Sequence, residues 1–111
     1  MKSSIVISTA KTNFRALAYQ DELAETIRRV AELGFDGVEL AVRSPADVDL
    51  IQLKKILAET KLMVSSIGTG QIYGEEGLSF TDSSAQVRRK TILRIKSHID
   101  FATQIGNPLI I

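Results

Sequence analysis

Three stretches of the 111-residue sequence combine polar side chains with positions where a parallel sheet would present them to a ligand: Thr9 to Lys11, Glu39 with Arg43, and Gly68 to Tyr73. Glu39 stands between Val38 and Leu40 in GVELA, and alternation along a strand sends its carboxylate to the face opposite its two neighbours. A carboxylate inside a sheet must be paired or hydrogen-bonded. It therefore serves either as a polar contact to a bound molecule or metal site, or as a structural tie between adjacent strands. In Gly68, Thr69, Gly70 and Gln71 the glycines permit close backbone approach, while the hydroxyl and amide supply the donors and acceptors a polyol needs. The other reading is a glycine-rich turn whose polar groups satisfy one another. Nucleotide binding is a poor match, because Gly68, Gly70 and Gly74 miss the GxGxxG spacing and no Walker lysine follows.

Other chemistry is limited by what the chain contains. With no cysteine there is no disulfide, thiolate metal site or thiol nucleophile. His98, the one histidine, falls within a helical pattern away from any strand end, where a packing or surface role suits it better than a ligand or base. Arg88, Arg89, Lys90, Arg94 and Lys96 have the spacing of a solvated outer helix face, and Glu75 and Glu76 are expected to be solvated as well. Fourteen basic against 13 acidic residues leave a formal charge of +1, so no strong field recommends nucleic acid or an anionic membrane as partner. The apolar run near Met1 is too short for a signal core or a membrane span, which points to the cytoplasm.

The elements that must position these groups follow from hydrophobic periodicity. Ile5, Val6 and Ile7 lie in a β-branched strand, Ser4 to Thr9, of the continuous apolar type that is buried on both faces. After Asp21, residues Leu23, Ile27, Val30 and Ala31 share one helical face, and Gly34 stands where the helix should end. Gly37 to Ala41 follows as a second strand. Ser44, Pro45 and Asp47 signal a second helix, with Leu50, Leu53 and Leu57 as its buried stripe before Lys61, and Leu62 to Ile67 is a third strand. Gly68 to Asp82 has no period and reads as a long loop. Ser83 and Gln86 fit a capping box opening a long helix with Ile92, Ile95, Ile99 and Ala102 on its inner face. That helix ends at Gly106, and Leu109 to Ile111 starts a fourth strand. The order βαβαβαβ implies a parallel α/β sheet in a single partial domain, residues 1–111, either barrel-like or doubly wound.

Two segments, AELGFDGVELA at Ala31 to Ala41 and GTGQIYGEEGLSFTD at Gly68 to Asp82, resemble the xylose isomerase-like TIM-barrel family of sugar phosphate isomerases and epimerases. The likeness continues through RRKTILRIKSHIDFATQIG into the last strand. It implies half of a (β/α)8 barrel, since a whole one takes roughly 250 residues. It also implies a divalent metal (Mn, Mg, Co or Zn) in the complete enzyme, held by Glu, Asp, His and Glu from later strands, so that none of the ligands is assigned within this chain. On this reading the chain belongs to a metal-dependent sugar or sugar phosphate isomerase or epimerase, is inactive alone, and offers Glu39, Gly70 and Gln71 as substrate contacts.

A different class of function is a noncatalytic half-barrel acting through self-association. Open strand edges at Ile5 to Ile7 and Leu109 to Ile111 invite pairing, so a homo-oligomer is expected. A nuclease of the endonuclease IV kind would need several metal-binding histidines where this sequence has only His98.

Overall fold

The computed structural model describes residues 1–9 and 23–111. Ala10, Lys11 and the helix-start signal at Asp21 lie outside the described residues. Four strands, β1 (Ser4–Ser8), β2 (Gly37–Ala41), β3 (Met63–Gly68) and β4 (Leu109–Ile110), form one sheet, and every neighbouring pair is parallel. Helices α1 (Leu23–Glu32), α2 (Leu50–Thr60), α3 (Gly70–Glu76) and α4 (Ala85–Thr103) fall between them. The strands lie in the order β1-β2-β3-β4. A doubly wound sheet reverses direction at a switch point, whereas a barrel adds each strand beside the last. The sequential order therefore selects the half-barrel.

One face of the sheet holds the core. Ile7, Val38, Leu40, Val64 and Ile67 pack beneath Ala24, Ile27 and Val30 of α1, Leu53 and Ile56 of α2, and Phe101 and Ala102 of α4 in a single cluster. Burying the Leu40 or Ile67 side chain completely stabilises the fold by about 1.5–3 kcal/mol each. The alternation is broken once. Val38 pairs with Val64 but Glu39 pairs with Ser66, so Ser65 is an extra residue bulging out of β3. Its hydroxyl donates to Val38 O at 3.2 Å, satisfying a carbonyl where the ladder is disturbed. Gly37 is required where it stands, because a Cβ there would lie 2.6 Å from Met63 O.

Several expectations need correction. The segment Gly68 to Asp82 is not all loop, since it contains α3. Ile72 is the one apolar residue buried in this seven-residue helix, too little to show a period, and Gly77 ends it in the left-handed region at φ 65°. Ser44 and Pro45 open a separate 3-10 turn, Pro45–Asp47; α2 starts later, where the Asp49 carboxylate accepts from Gln52 N–H at 3.0 Å. The α4 cap is Ser84 rather than Ser83, because the Asp82 carboxylate accepts the Ser84 N–H and fixes the turn one residue on.

The inner face of α4 also differs from expectation. Ile92 and Ile99 are 44% and 49% exposed, while Thr91, His98, Phe101 and Ala102 are buried. Polar residues can take the inward positions because each finds a carbonyl: Thr91 Oγ1 donates to Val87 O, and the two His98 ring nitrogens lie 2.8 Å from Arg94 O and 2.9 Å from Val42 O. His98 is thus a packing residue, as its helical position suggested. Among the described residues no helix is long and apolar enough to cross a membrane.

Candidate functional site

The second face of the sheet carries no helix of the core cluster, and between Val6 and Leu109 at its two edges its residues are small or polar. Register places Val6, Glu39, Ser66 and Leu109 in one row across the four strands. One pleat repeat further towards the carboxyl ends, Ser8, Ala41 and Gly68 form the next row, about 7 Å on. Bulky aliphatic side chains occupy the helix-facing rows between them. The bulge at Ser65 is what brings Ser66 onto this face, where its hydroxyl donates to Glu39 Oε2 at 2.7 Å. A hydrogen bond to a carboxylate at that length is of the strong, charge-assisted kind.

Gly68 lies beside the other oxygen. A methyl group built there would sit 3.5 Å from Glu39 Oε1 and cover part of it, so glycine keeps that oxygen open towards the carboxyl ends of the strands. Gln71 is 6% exposed, and its Nε2 donates to Ser8 Oγ at 3.0 Å, pinning α3 across the strand ends above the Glu39 row. Gly70 opens α3 with nothing within 4 Å of where its Cβ would be, so the protein's own packing does not require glycine there. Glu39, Gly70 and Gln71 are thus gathered around the carboxyl end of one sheet face.

Thr9 and Thr69 are engaged elsewhere. Thr9 Oγ1 donates to Ala41 O at 3.2 Å, and Thr69 directs both its N–H and its hydroxyl at Ile111 O, at 2.8 and 2.9 Å. In the turn after β3, Thr69 ties the structure to the end of β4, and Gln71 is buried with its amide on Ser8.

Arg43 belongs to a different group outside the sheet. Its guanidinium meets Asp47 at 2.7 Å, Glu75 at 3.7 Å and Glu76 at 3.9 Å, and Arg94 grips Glu76 with two hydrogen bonds of 2.7 and 2.9 Å. Arg94 also donates to Arg43 O. The hydrogen bond from Arg94 holds the Glu76 carboxyl below the ordinary carboxylate range, and the hydrogen bond to Asp47 raises the Arg43 guanidinium further. Glu75, Glu76 and Arg94 accordingly depart from the solvated roles expected of them. They fasten α3 to α4 and to the segment after β2. Arg88 departs too, donating to Asp82 O and Ser83 O at the start of α4.

Among the described residues no three His, Cys, Asp or Glu side chains lie together to hold a metal. Glu39 is one carboxylate among neutral oxygens, and a divalent ion of the hard class takes several charged or carbonyl oxygens. These residues alone do not form a metal cage.

A family model described as xylose isomerase-like TIM barrel matches residues 27–111. The chain belongs to this family. Membership accounts for the sequential strand order of a xylose isomerase-like barrel. The L-ribulose 3-epimerase of Mesorhizobium japonicum is 37% identical over 79 residues, covering 70% of this chain and 26% of that protein. In fold, the chain is similar to the apo crystal structure of 3-keto-D-glucoside 4-epimerase from E. coli, with a TM-score of 0.68 and 19% identity. That likeness covers 96% of this chain and 36% of the epimerase. The chain thus spans about a quarter to a third of the length of these relatives.

Ser66 and Ser8, which hold Glu39 and Gln71, were missed among the candidate site residues. A signal for them exists in the sequence: small hydroxyl residues interrupt the apolar strands SIVIS and MVSSIG. Which serine of the pair in β3 faces Glu39 depends on the bulge, and strict alternation cannot supply that.

Proposed function

We propose that this chain forms the substrate-contacting, amino-terminal part of a sugar isomerase or epimerase barrel, with Glu39, Gly70 and Gln71 lining the place where the sugar lies. The observation that carries the proposal is the Glu39 carboxylate, fixed by Ser66 on the sheet face away from the core cluster, with no hydrogen bond to its second oxygen, beside Gly68, from the described residues. Such an oxygen accepts a hydrogen bond from a sugar hydroxyl, and the backbone at Gly70 leaves room for the ligand to approach. The 37% identity to an L-ribulose 3-epimerase supports a keto sugar as the ligand class.

In this reaction class a proton moves between carbons next to a carbonyl, and a divalent metal supplies polarisation of the sugar oxygens when bound. The metal ligands and the proton-transferring carboxylates lie, on this proposal, outside the described residues, so the 111-residue chain alone is inactive. Glu39, Gly70 and Gln71 bind and orient. The described inner face bears a carboxylate and no cation, which favours an unphosphorylated sugar over its phosphate by like-charge repulsion.

Titration of the chain with ketopentoses and their phosphates, followed by NMR shift changes, tests this. Neutral sugar should perturb residues around Glu39 and Gln71, E39Q should weaken that binding at least about tenfold, and the phosphate should bind no better. Incubation with ketopentose and Mn²⁺ in D₂O should leave the sugar undeuterated. Deuterium exchange by the chain unaided would place the proton-transfer machinery within these residues and overturn the assignment.

A further inference from the structure

The seven-residue helix α3 is too short to hold a fixed place by its own hydrogen bonds, since isolated helices below about 12–15 residues are marginal in water. Its buried residues, Gln71 and Ile72, lie near the amino end. The carboxyl end carries Glu75 and Glu76, and two carboxylates in a last turn oppose the helix dipole. The position of α3 is therefore set by what those carboxylates meet.

Arg94 Nη1 donates to Glu76 Oε1 at 2.7 Å and to Arg43 O at 2.8 Å, and Nη2 donates to Glu76 Oε2 at 2.9 Å. The planar fork matches both carboxylate oxygens, a geometry that a lysine ammonium lacks. Arg43 O belongs to the segment leaving β2, the strand of Glu39. Val42 fixes that segment further: its N–H bonds Gly68 O at 3.0 Å, and its carbonyl lies 2.9 Å from a His98 ring nitrogen. One arginine thus joins α3, α4 and the end of the Glu39 strand. With side chains 22% and 32% exposed, Arg94 and Glu76 are screened by solvent only in part. Arg43 adds contacts to Asp47, Glu75 and Glu76. Without Arg94, these three carboxylates would share Arg43 as the cation in contact among the described residues, so like-charge repulsion would add to the lost hydrogen bonds.

We propose that Arg94 is a positioning residue for the sugar site, holding α3 by Glu76 so that Gln71 stays docked on Ser8 above the Glu39 row. Glu76 follows Gln71 by five positions, about 7.5 Å along the axis of one helix, so a hold on the carboxyl end fixes the amide near the amino end. The Gln71 to Ser8 hydrogen bond, 3.0 Å between neutral groups, is weaker than the charged fork. The fork accordingly decides how firmly the amide keeps its place. This assignment rests on the reading of Gln71 as a sugar contact, and Arg94 itself touches no sugar in it.

NMR of the full chain tests the positioning without any ligand. The Gln71 side-chain amide should give a pair of signals set apart by its hydrogen bond and burial. In Arg94→Met that pair should move towards the shifts of exposed Gln52; in Arg94→Lys it should come part of the way back, and in Glu76→Gln it should move the same way by less. Methyl signals of Ile27 and Leu40 in the core report that each variant is folded, and should Arg94→Met fail to fold, Glu76→Gln carries the test. A Gln71 amide unmoved in the folded variants would overturn the proposal. Titration with ketopentose then reads the consequence. Arg94→Met should raise the dissociation constant at least about fivefold in the parent chain and less than about twofold beside Gln71→Ala, because it acts through a side chain already removed. Equal losses in both backgrounds would also overturn it. If the parent chain binds no ketopentose, the sugar reading fails, and the Gln71 amide alone decides whether Arg94 holds α3.

Discussion

The two faces of the one sheet are built on opposite principles. Beneath the helices, Ile7, Val38, Leu40, Val64 and Ile67 interlock with three helices at almost no exposure. On the other side the same strands present Ser8, Glu39, Ser66 and Gly68, few of which could contribute a hydrophobic contact. The difference separates folding from function. The packed face specifies the fold, and the sparse face carries hydrogen-bonded polar groups on which the proposed sugar contact rests.

This contrast predicts a graded series of effects. Leu40→Ala or Ile67→Ala should cost about 2–5 kcal/mol, read by denaturant unfolding, because a cavity opens in a fully packed layer. A loss below about 1 kcal/mol would mean the helix-facing layer is not closely packed. His98→Leu should cost about 1–3 kcal/mol, since it keeps the bulk but removes the ring nitrogens that meet Arg94 O and Val42 O.

Outside either face, Glu76→Gln should cost about 0.5–1 kcal/mol, the scale of a well-formed but partly exposed ion pair. Because the Arg94 hydrogen bond lowers the Glu76 pKa on folding, this contribution is fully present above the unfolded value, about 4.3, and disappears as pH falls through the lower folded value. The variant should therefore show a flatter decline in stability in acid than the parent, measured by thermal unfolding between neutral pH and about pH 3. At the small end, Glu39→Gln should change stability by no more than about 0.5 kcal/mol, as the amide oxygen still accepts from Ser66. A large loss there would make Glu39 a structural tie and erase the distinction between the faces.

Much of the packed face was legible in the sequence, since β-branched runs and the Leu53 stripe carry the two periods directly. The Glu39 direction was legible for the same reason. What escaped was set by interactions that leave no periodic trace: α3, anchored by a single buried Ile72; the inward turn of Thr91 and His98, satisfied by distant carbonyls; and the pairing of Glu76 with Arg94, 18 residues apart. Ile92 and Ile99 match a helical stripe well enough, but the flank they occupy is 44% and 49% exposed.

Ser65 gives the third strand an odd parity. Residues Val64 and Ile67 are three apart yet share a face, so inward and outward positions exchange midway along the six-residue strand. Deleting this one residue would restore a regular alternation with Val64 still facing the core and Ser66 still facing Glu39, at the loss of the hydroxyl that satisfies Val38 O. A one-codon deletion here consequently removes a bend and a hydrogen bond rather than the register of the strand.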